Sequence, residues 1–316
     1  MNIANPYLHS SNPLNTHHRS LKRWVTIASL SVATVLVVLK FFAYMITDSV
    51  SMLTSLMDSA FDGIASMATM ISVAHATTPA DEEHRFGHGK VEALTAMGQS
   101  LFIFGSAALL LFEALHRFIH PVKVGEIGVG LIVTILSLVM TGGLIVFQRY
   151  VISKTSSIAI SADHLHYKGD LFMNMGVFIA LTLSYLSSWT WCDPLFAGMT
   201  ALFLLYSAKS ISIESYGILM DRELPQEDRD KISALVTAHH AVCAIHDLRT
   251  RSTGERVFIE FHMELDGAMS LKDAHDVTED VEKEIYEAFP KSEVIIHQEP
   301  AGLDDHRLDS AIGAIS

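Results

Sequence analysis

LTSLMDSAFDG at residues 53–63 and ADHLHYKGD at residues 162–170 decide the fold, because each sets ionisable side chains inside a long apolar run. Asp58 and Asp62 stand four residues apart in the first, His166 and Asp170 four apart in the second. On a helix that spacing places both side chains on one face, one turn apart. A bilayer crossing needs roughly 20 apolar residues, and inside hydrocarbon the backbone must satisfy its own hydrogen bonds, so these runs are predicted to be helices. Burying one such charge costs roughly 2.5–3.5 kcal/mol on insertion scales. Polar residues bonding between helices account for one Asp but not for two matched pairs. Asp62 and Asp170 lie about 14 and about 13 residues from the same side of the membrane, ~20 Å at 1.5 Å per residue, so the pairs are expected to meet at one depth.

Working outward, apolar runs lie near 24–46, 50–76, 92–118, 125–148, 158–186 and 190–213, predicting six transmembrane helices. The third and fourth are almost free of charge at their centres and read as plain spans. Lys40, near the outer end of the first, is expected to snorkel toward the interface. Met52, Met57, Met67 and Met70 read as packing rather than as soft metal ligands. The run from Trp24 exceeds a signal-peptide core and reads as a retained helix. The basic N-terminus, Arg85 with Lys90, and Arg149 with Lys154 fall on one side, which the positive-inside rule makes cytoplasmic. The links around Asp48 and Ser187–Asp193 are poor in Lys and Arg; the link near Arg117 and Lys123 fits this assignment least. Both termini are expected in the cytoplasm.

The charge is unevenly spread. The 316 residues carry a formal charge of -13, and from Arg222 onward 21 Asp/Glu face 10 Lys/Arg. An acidic soluble part argues against nucleic acid as a partner, while 17 histidines favour metals. Cys192 and Cys243 fall in different parts of the chain, so no disulfide framework is expected.

The expected organisation is a flexible N-terminus (1–20), a membrane domain (21–214), a linker (215–222), a soluble domain (223–300) and a flexible tail (301–316). His9, His17, His18 and His306 fall in the flexible ends. The soluble domain reads as helix 225–238, strands 243–251 and 256–265, helix 270–289 and strand 293–299, an α+β ferredoxin-like αββαβ order. In the second strand Val257, Ile259, Phe261, Met263 and Leu265 alternate with Glu260, His262 and Glu264. Ser270 and Asp273 are placed to cap the second helix, whose stripe is Ala274, Val277, Val281, Ile285 and Ala288.

Asp58, Asp62, His166 and Asp170 make a donor set of three carboxylates and one imidazole. That set suits tetrahedral Zn2+, with Cd2+ and Fe2+ also accepted; an all-oxygen set would have pointed to Mg2+, Ca2+ or Mn2+. Such ligands shed protons on binding metal, so metal–proton exchange follows. Two other readings use parts of the pattern: an intramembrane metalloenzyme and a membrane-anchored metal sensor. Against the enzyme, four donors fill a tetrahedral site, no general base stands beside them, and neither HExxH nor GxSxG occurs.

With PADEEHRFGHGK (79–90), LMDRELP (219–225), HDLRTR (246–251) and VIIHQEP (294–300), the two quoted stretches resemble the cation diffusion facilitator family, specifically its bacterial zinc/ferrous-iron efflux branch. The resemblance runs from about residue 20 to about 300. It implies a homodimer in the bacterial inner membrane, metal–proton antiport by alternating access, and a cytoplasmic metal-binding domain. It assigns Asp81, His84 and His88 to a loop metal site, although their spacing equally fits a solvated polar loop. It assigns His246, His262, His275, His297 and Glu299 to a cytoplasmic cluster with Zn2+ in a structural or regulatory role. The family motif ends in Asp where this chain has Glu299, an arm one methylene longer. Lys90 and Asp221 match an inter-subunit salt bridge.

Overall fold

The apolar runs become six long helices: α1 (Pro13–Thr47), α2 (Val50–Ala76), α3 (Lys90–Ile119), α4 (Gly128–Thr155), α5 (Ile158–Ser187) and α6 (Cys192–Leu219). These come from a computed structural model that describes residues 13–47, 50–120, 128–187, 192–254 and 256–303. Asp48, Lys123, His9, His306 and most of the 187–193 link lie outside the described residues. The chain divides into two compact units, Met1–Tyr216 and Gly217–Ser316.

In the helical unit α1 packs on α2 and α4, α3 packs on α2 and α5, and α5 also meets α2 and α4. Ala33, Ala107, Ala159, Ala162, Ala201 and Ala208 are fully buried. Small side chains let helix backbones approach, which is how helices associate in lipid, where burial from water supplies no drive. Outward, Leu109, Phe112, Val139 and Val146 are about 70% exposed, as suits a surface solvated by acyl chains. Among the described residues four helices, α1, α3, α4 and α6, are long and apolar enough by composition to span a bilayer. The other two, α2 and α5, carry the charged motifs.

Three boundaries differ from expectation. The first helix starts at Pro13, so His17 and His18 are helical and not part of a loose terminus. α4 runs on to Thr155, which places Arg149 and Lys154 inside the helix and leaves Ser156 (φ 49°) and Ser157 to turn into α5. α6 continues to Leu219, through most of the expected linker. Apolar periodicity marks where a helix enters water, and each of these helices outlasts its apolar run.

The second unit is α7 (Gln226–Ala238), β1 (Ala244–Ser252), β2 (Val257–Leu265), α8 (Leu271–Ala288) and β3 (Ser292–Pro300). β2 is the central strand, antiparallel to β1 and parallel to β3; the parallel pair needs a crossover, and α8 supplies it. Ile259, Phe261, Met263 and Leu265 from one face of β2 join Ile232 and Val236 of α7 and Val281 and Ile285 of α8 in the core. The Ser270 hydroxyl accepts from the Asp273 backbone N–H at 3.2 Å and caps α8.

Candidate metal centres

Among the described residues, three clusters of His and carboxylate side chains bring donor atoms within 4.8 Å of one another: Asp62–His166–Asp170, Asp81–His84–His88 and His246–His262–Glu299.

The first lies between α2 and α5. His166 Nε2 and Asp62 Oδ1 are 2.6 Å apart across the helix interface, and Asp62 is only 8% exposed. Asp170, one turn along from His166, completes the trio, and its buried Oδ2 has no hydrogen-bond partner. A buried carboxylate oxygen in that condition is a place for a proton or a cation. Asp58 is not part of the trio and is exposed on α2, although it lies within electrostatic reach of Asp62 and His166. Lys40 does not snorkel. Its ammonium turns inward and donates to Ser59 Oγ (2.7 Å) and the Ser55 carbonyl (3.1 Å), both on α2.

Two buried polar assemblies join the helices of this unit, and the sequence reading assigned neither. Asp163, in the same motif as His166, is 1% exposed and accepts from Ser66 Oγ (3.2 Å) and Gln148 Nε2 (2.9 Å), joining α2, α4 and α5. Gln148 also donates to Ser29 Oγ of α1 at 3.0 Å. Separately, Lys22 Nζ meets Glu92 Oε1 at 2.7 Å, both side chains under 10% exposed, and Glu92 Oε2 accepts from Ser157. The signal for Asp163 was present in ADHLHYKGD. For Lys22 and Glu92, each near a helix end, no local pattern could have announced the pairing.

The second cluster is built by a loop. Asp81 Oδ1 accepts the backbone N–H groups of His84 (2.6 Å) and Glu83 (3.0 Å). The His84 bond is the main cause that holds the Asp81 carboxyl below the usual carboxylate range. Gly87, at φ +79°, takes the left-handed turn that returns the chain toward His88. His84 Nδ1 and His88 Nε2 then stand 3.3 Å from the two oxygens of Asp81. Thr78 settles the tautomer of His88. Its hydroxyl donates its only proton to the His75 carbonyl at 2.6 Å, so toward His88 Nδ1, at 3.0 Å, it acts as acceptor. His88 therefore carries a proton on Nδ1 and turns Nε2 toward Asp81 Oδ2. A proton or a metal cation between that nitrogen and the carboxylate satisfies both. The His75 ring, unanticipated, lies 4.7 Å from that of His88.

The third cluster follows strand register. His246 pairs with His262, and His262 with His297, so three imidazoles stand side by side across the sheet. Glu264 and Glu299 are paired two residues on. His262 Nδ1 lies 2.6 Å from Glu299 Oε1, and His246 Nε2 lies 3.3 Å from Glu299 Oε2. Glu299, the longer arm, thus spans both rings. His246 Nδ1 is 3.2 Å from Glu264 Oε1, although not aligned as a hydrogen bond; Glu264 is a further donor, legible only as one of the polar-face residues of β2. A bulge between His246 and Arg249, with Asp247 at φ 52°, interrupts the pairing of β1 with β2 beside the site, and the ladder resumes at Arg249. His297 stays largely exposed, 3.4 Å from Glu299. His275 is elsewhere, exposed on α8 and beside Glu279 at 3.4 Å. Asp221 is 3.8 Å from Arg251 within its own unit.

Residues 26–220 match the family profile described as the cation efflux transmembrane domain, and residues 224–301 match that of the cation efflux protein, cytoplasmic domain. The cation-efflux pump FieF of Klebsiella pneumoniae is 41% identical over 290 residues, covering 92% of this chain and 96% of the pump. The pump of the same name from Shewanella oneidensis is 42% identical over 284 residues, covering 89% and 96%. Among solved structures, the metal-bound C-terminal domain of the CzcD transporter from Thermotoga maritima is 37% identical, covering 25% of this chain and 94% of that one with a TM-score of 0.25. The chain belongs to the cation efflux family: it is a multi-pass membrane transporter of cations, and not an enzyme.

Proposed function

We propose that this protein moves Zn2+ out of the cytoplasm in exchange for protons, with Cd2+ and Fe2+ as further substrates, on Asp62, His166 and Asp170, with Asp58 joining when metal is bound. The observation that carries this reading is the 2.6 Å approach of His166 Nε2 to Asp62 Oδ1 beside the unpartnered Asp170 Oδ2, in a unit built to sit in lipid. One imidazole among carboxylates favours Zn2+ over Mg2+ or Ca2+. Every donor in the set also binds protons, so metal and proton compete for the same atoms.

In this reading all six helices span the bacterial inner membrane, and both termini are cytoplasmic. The loop cluster (Asp81, His84, His88) and the sheet cluster (His246, His262, Glu299, with His297 alongside) hold further Zn2+ on the cytoplasmic side. The protein works as a homodimer, in which His275 of each soluble domain completes the sheet cluster and Lys90 pairs with Asp221 across subunits. Loading the sheet cluster biases the dimer toward transport only insofar as the two conformations differ in metal affinity.

The test is reconstitution into proteoliposomes holding a pH-sensitive dye. Zn2+ entering the lumen should drive protons out and raise the lumenal pH in proportion to the metal moved. Zn2+ entry without a lumenal pH change contradicts exchange.

A further inference from the structure

We propose that Lys40 is the resident counter-cation of the transport site: its fixed charge makes the metal-loaded site electrically neutral, so the loaded site reorients across the membrane without responding to voltage. The inference rests on the assignment of that site to Asp58, Asp62, His166 and Asp170.

The placement of Lys40 carries it. A lysine near the end of a span normally extends its stem so that the ammonium reaches water, and this one does the reverse. Lys40 is half-buried, with its Nζ on Ser59 Oγ and the Ser55 carbonyl of α2. Ser59, 1% exposed, directly follows Asp58 and stands one turn before Asp62. The ammonium is close enough to Asp58, Asp62 and Asp170 to interact electrostatically with all three. Its anchors are serine oxygens, neither of them a candidate ligand, so a metal can take the carboxylates without displacing it.

Counting charge gives the consequence. A metal-bound histidine is neutral. The three carboxylates carry three negative charges, and one divalent cation with one ammonium carries three positive ones. The four ligands with their metal and Lys40 therefore carry no net charge, Asp163 standing outside the set on its own donors Ser66 and Gln148. Without Lys40 the loaded site would carry one net negative charge, and a potential of 100 mV acting over the full membrane would bias its two orientations by up to about 50-fold. The ammonium also opposes a second cation and limits the site to one metal at a time.

The experiment is zinc self-exchange, which involves only the loaded form. The full-length chain is reconstituted, with Zn2+ and pH equal on both sides, and exchange of radioactive Zn2+ is followed with and without a 100 mV potassium diffusion potential. Each vesicle preparation is its own control, so a poorly inserted variant is still read as a ratio. Wild type and Lys40→Arg should change by less than about 2-fold with voltage, and Lys40→Met by at least about 3-fold. Ser59→Ala, which removes an anchor but keeps the charge, should stay voltage-indifferent. A Lys40→Met exchange as indifferent as wild type overturns the inference, and so does a wild type that itself responds to voltage. Asp170→Ala separates the underlying assignment: if it exchanges zinc normally, the transport site is misplaced. If it is inactive while Lys40→Met matches wild type, the counter-cation alone is refuted.

Discussion

Thr78 has a single hydroxyl proton and spends it on the His75 carbonyl, which makes the residue a test of the loop cluster. Replacing it with Val leaves His88 Nδ1 without its acceptor and frees the ring to turn. Loss of such an orienting partner typically lowers metal affinity by about 10–100-fold, measurable by competition with a chelating dye, while pH-driven flux stays near the wild-type rate. Asp81 adds a pH signature. Its carboxyl is held below the usual range by the His84 backbone N–H, so between pH 7 and pH 5 it stays ionised, and its contribution to metal binding persists. An Asp81→Asn variant should therefore weaken loop binding by a similar factor at both pH values; a defect that vanishes at pH 5 would contradict this.

At this scale the sequence was legible wherever spacing fixed geometry. The i, i+4 pairs on α2 and α5 placed Asp62 beside His166. They named both acids of the α2 pair as ligands, whereas only Asp62 stands in the cluster with His166 and Asp170, because the packing of α5 decides which turn of α2 it faces. His262 was legible from alternation along β2, and Glu299 from the resemblance. Their neighbour His246 required the register, which is a long-range fact. His275 was assigned by resemblance, and within one chain it stands apart from the cluster.

Among elements, the bracing pairs have measurable roles. Lys22→Met leaves Glu92 charged and unpaired in the interior, and breaking a buried pair from one side costs about 3–5 kcal/mol. The detergent-solubilised protein should lose thermal stability accordingly, and Lys22→Met with Glu92→Leu should recover most of the loss. An equal loss in single and double variants would show that the pair is not the cause. Gly169 marks where α5 meets α6: a Cβ there would sit 2.8 Å from Leu204 Cδ2. Gly169→Ala should cost about 1–3 kcal/mol through overpacking, partly relieved by Leu204→Ala. Because Asp170 is the next residue, flux should fall with the single change and partly return with the double.

Element type and order were legible throughout, since the 3.6-residue and 2-residue periods differ and the apolar runs are long. Helix ends were less so. Where α4 passes Gln148 into Arg149 and Lys154, polar side chains are compatible with a helix that has left the lipid, and composition reads that as a loop. The pairing of Lys22 with Glu92 depends on how α1 and α3 lean together, which no window of sequence contains.

At the level of the whole molecule, the proposed reading of the three clusters as metal sites predicts three separable affinities. Zn2+ at 100 times its dissociation constant for one site stabilises the folded protein by about 2.7 kcal/mol. Glu299→Ala should remove the share belonging to the sheet cluster and leave the rest, read from the thermal midpoint with and without chelator.

The central claim, that metal crosses the membrane on Asp62, His166 and Asp170, is tested most directly by pH-gradient-driven Zn2+ flux in proteoliposomes. Wild type is compared with Asp170→Asn, with a loop variant (His84→Ala, His88→Ala) and with a sheet variant (His262→Ala, Glu299→Ala). Flux should fall at least about 100-fold in Asp170→Asn, equivalent to about 2.7 kcal/mol in the rate-limiting step, and stay within a few-fold of wild type in the other two. Normal flux in Asp170→Asn with loss in the loop or sheet variant would contradict it and move the transport site out of the helical core.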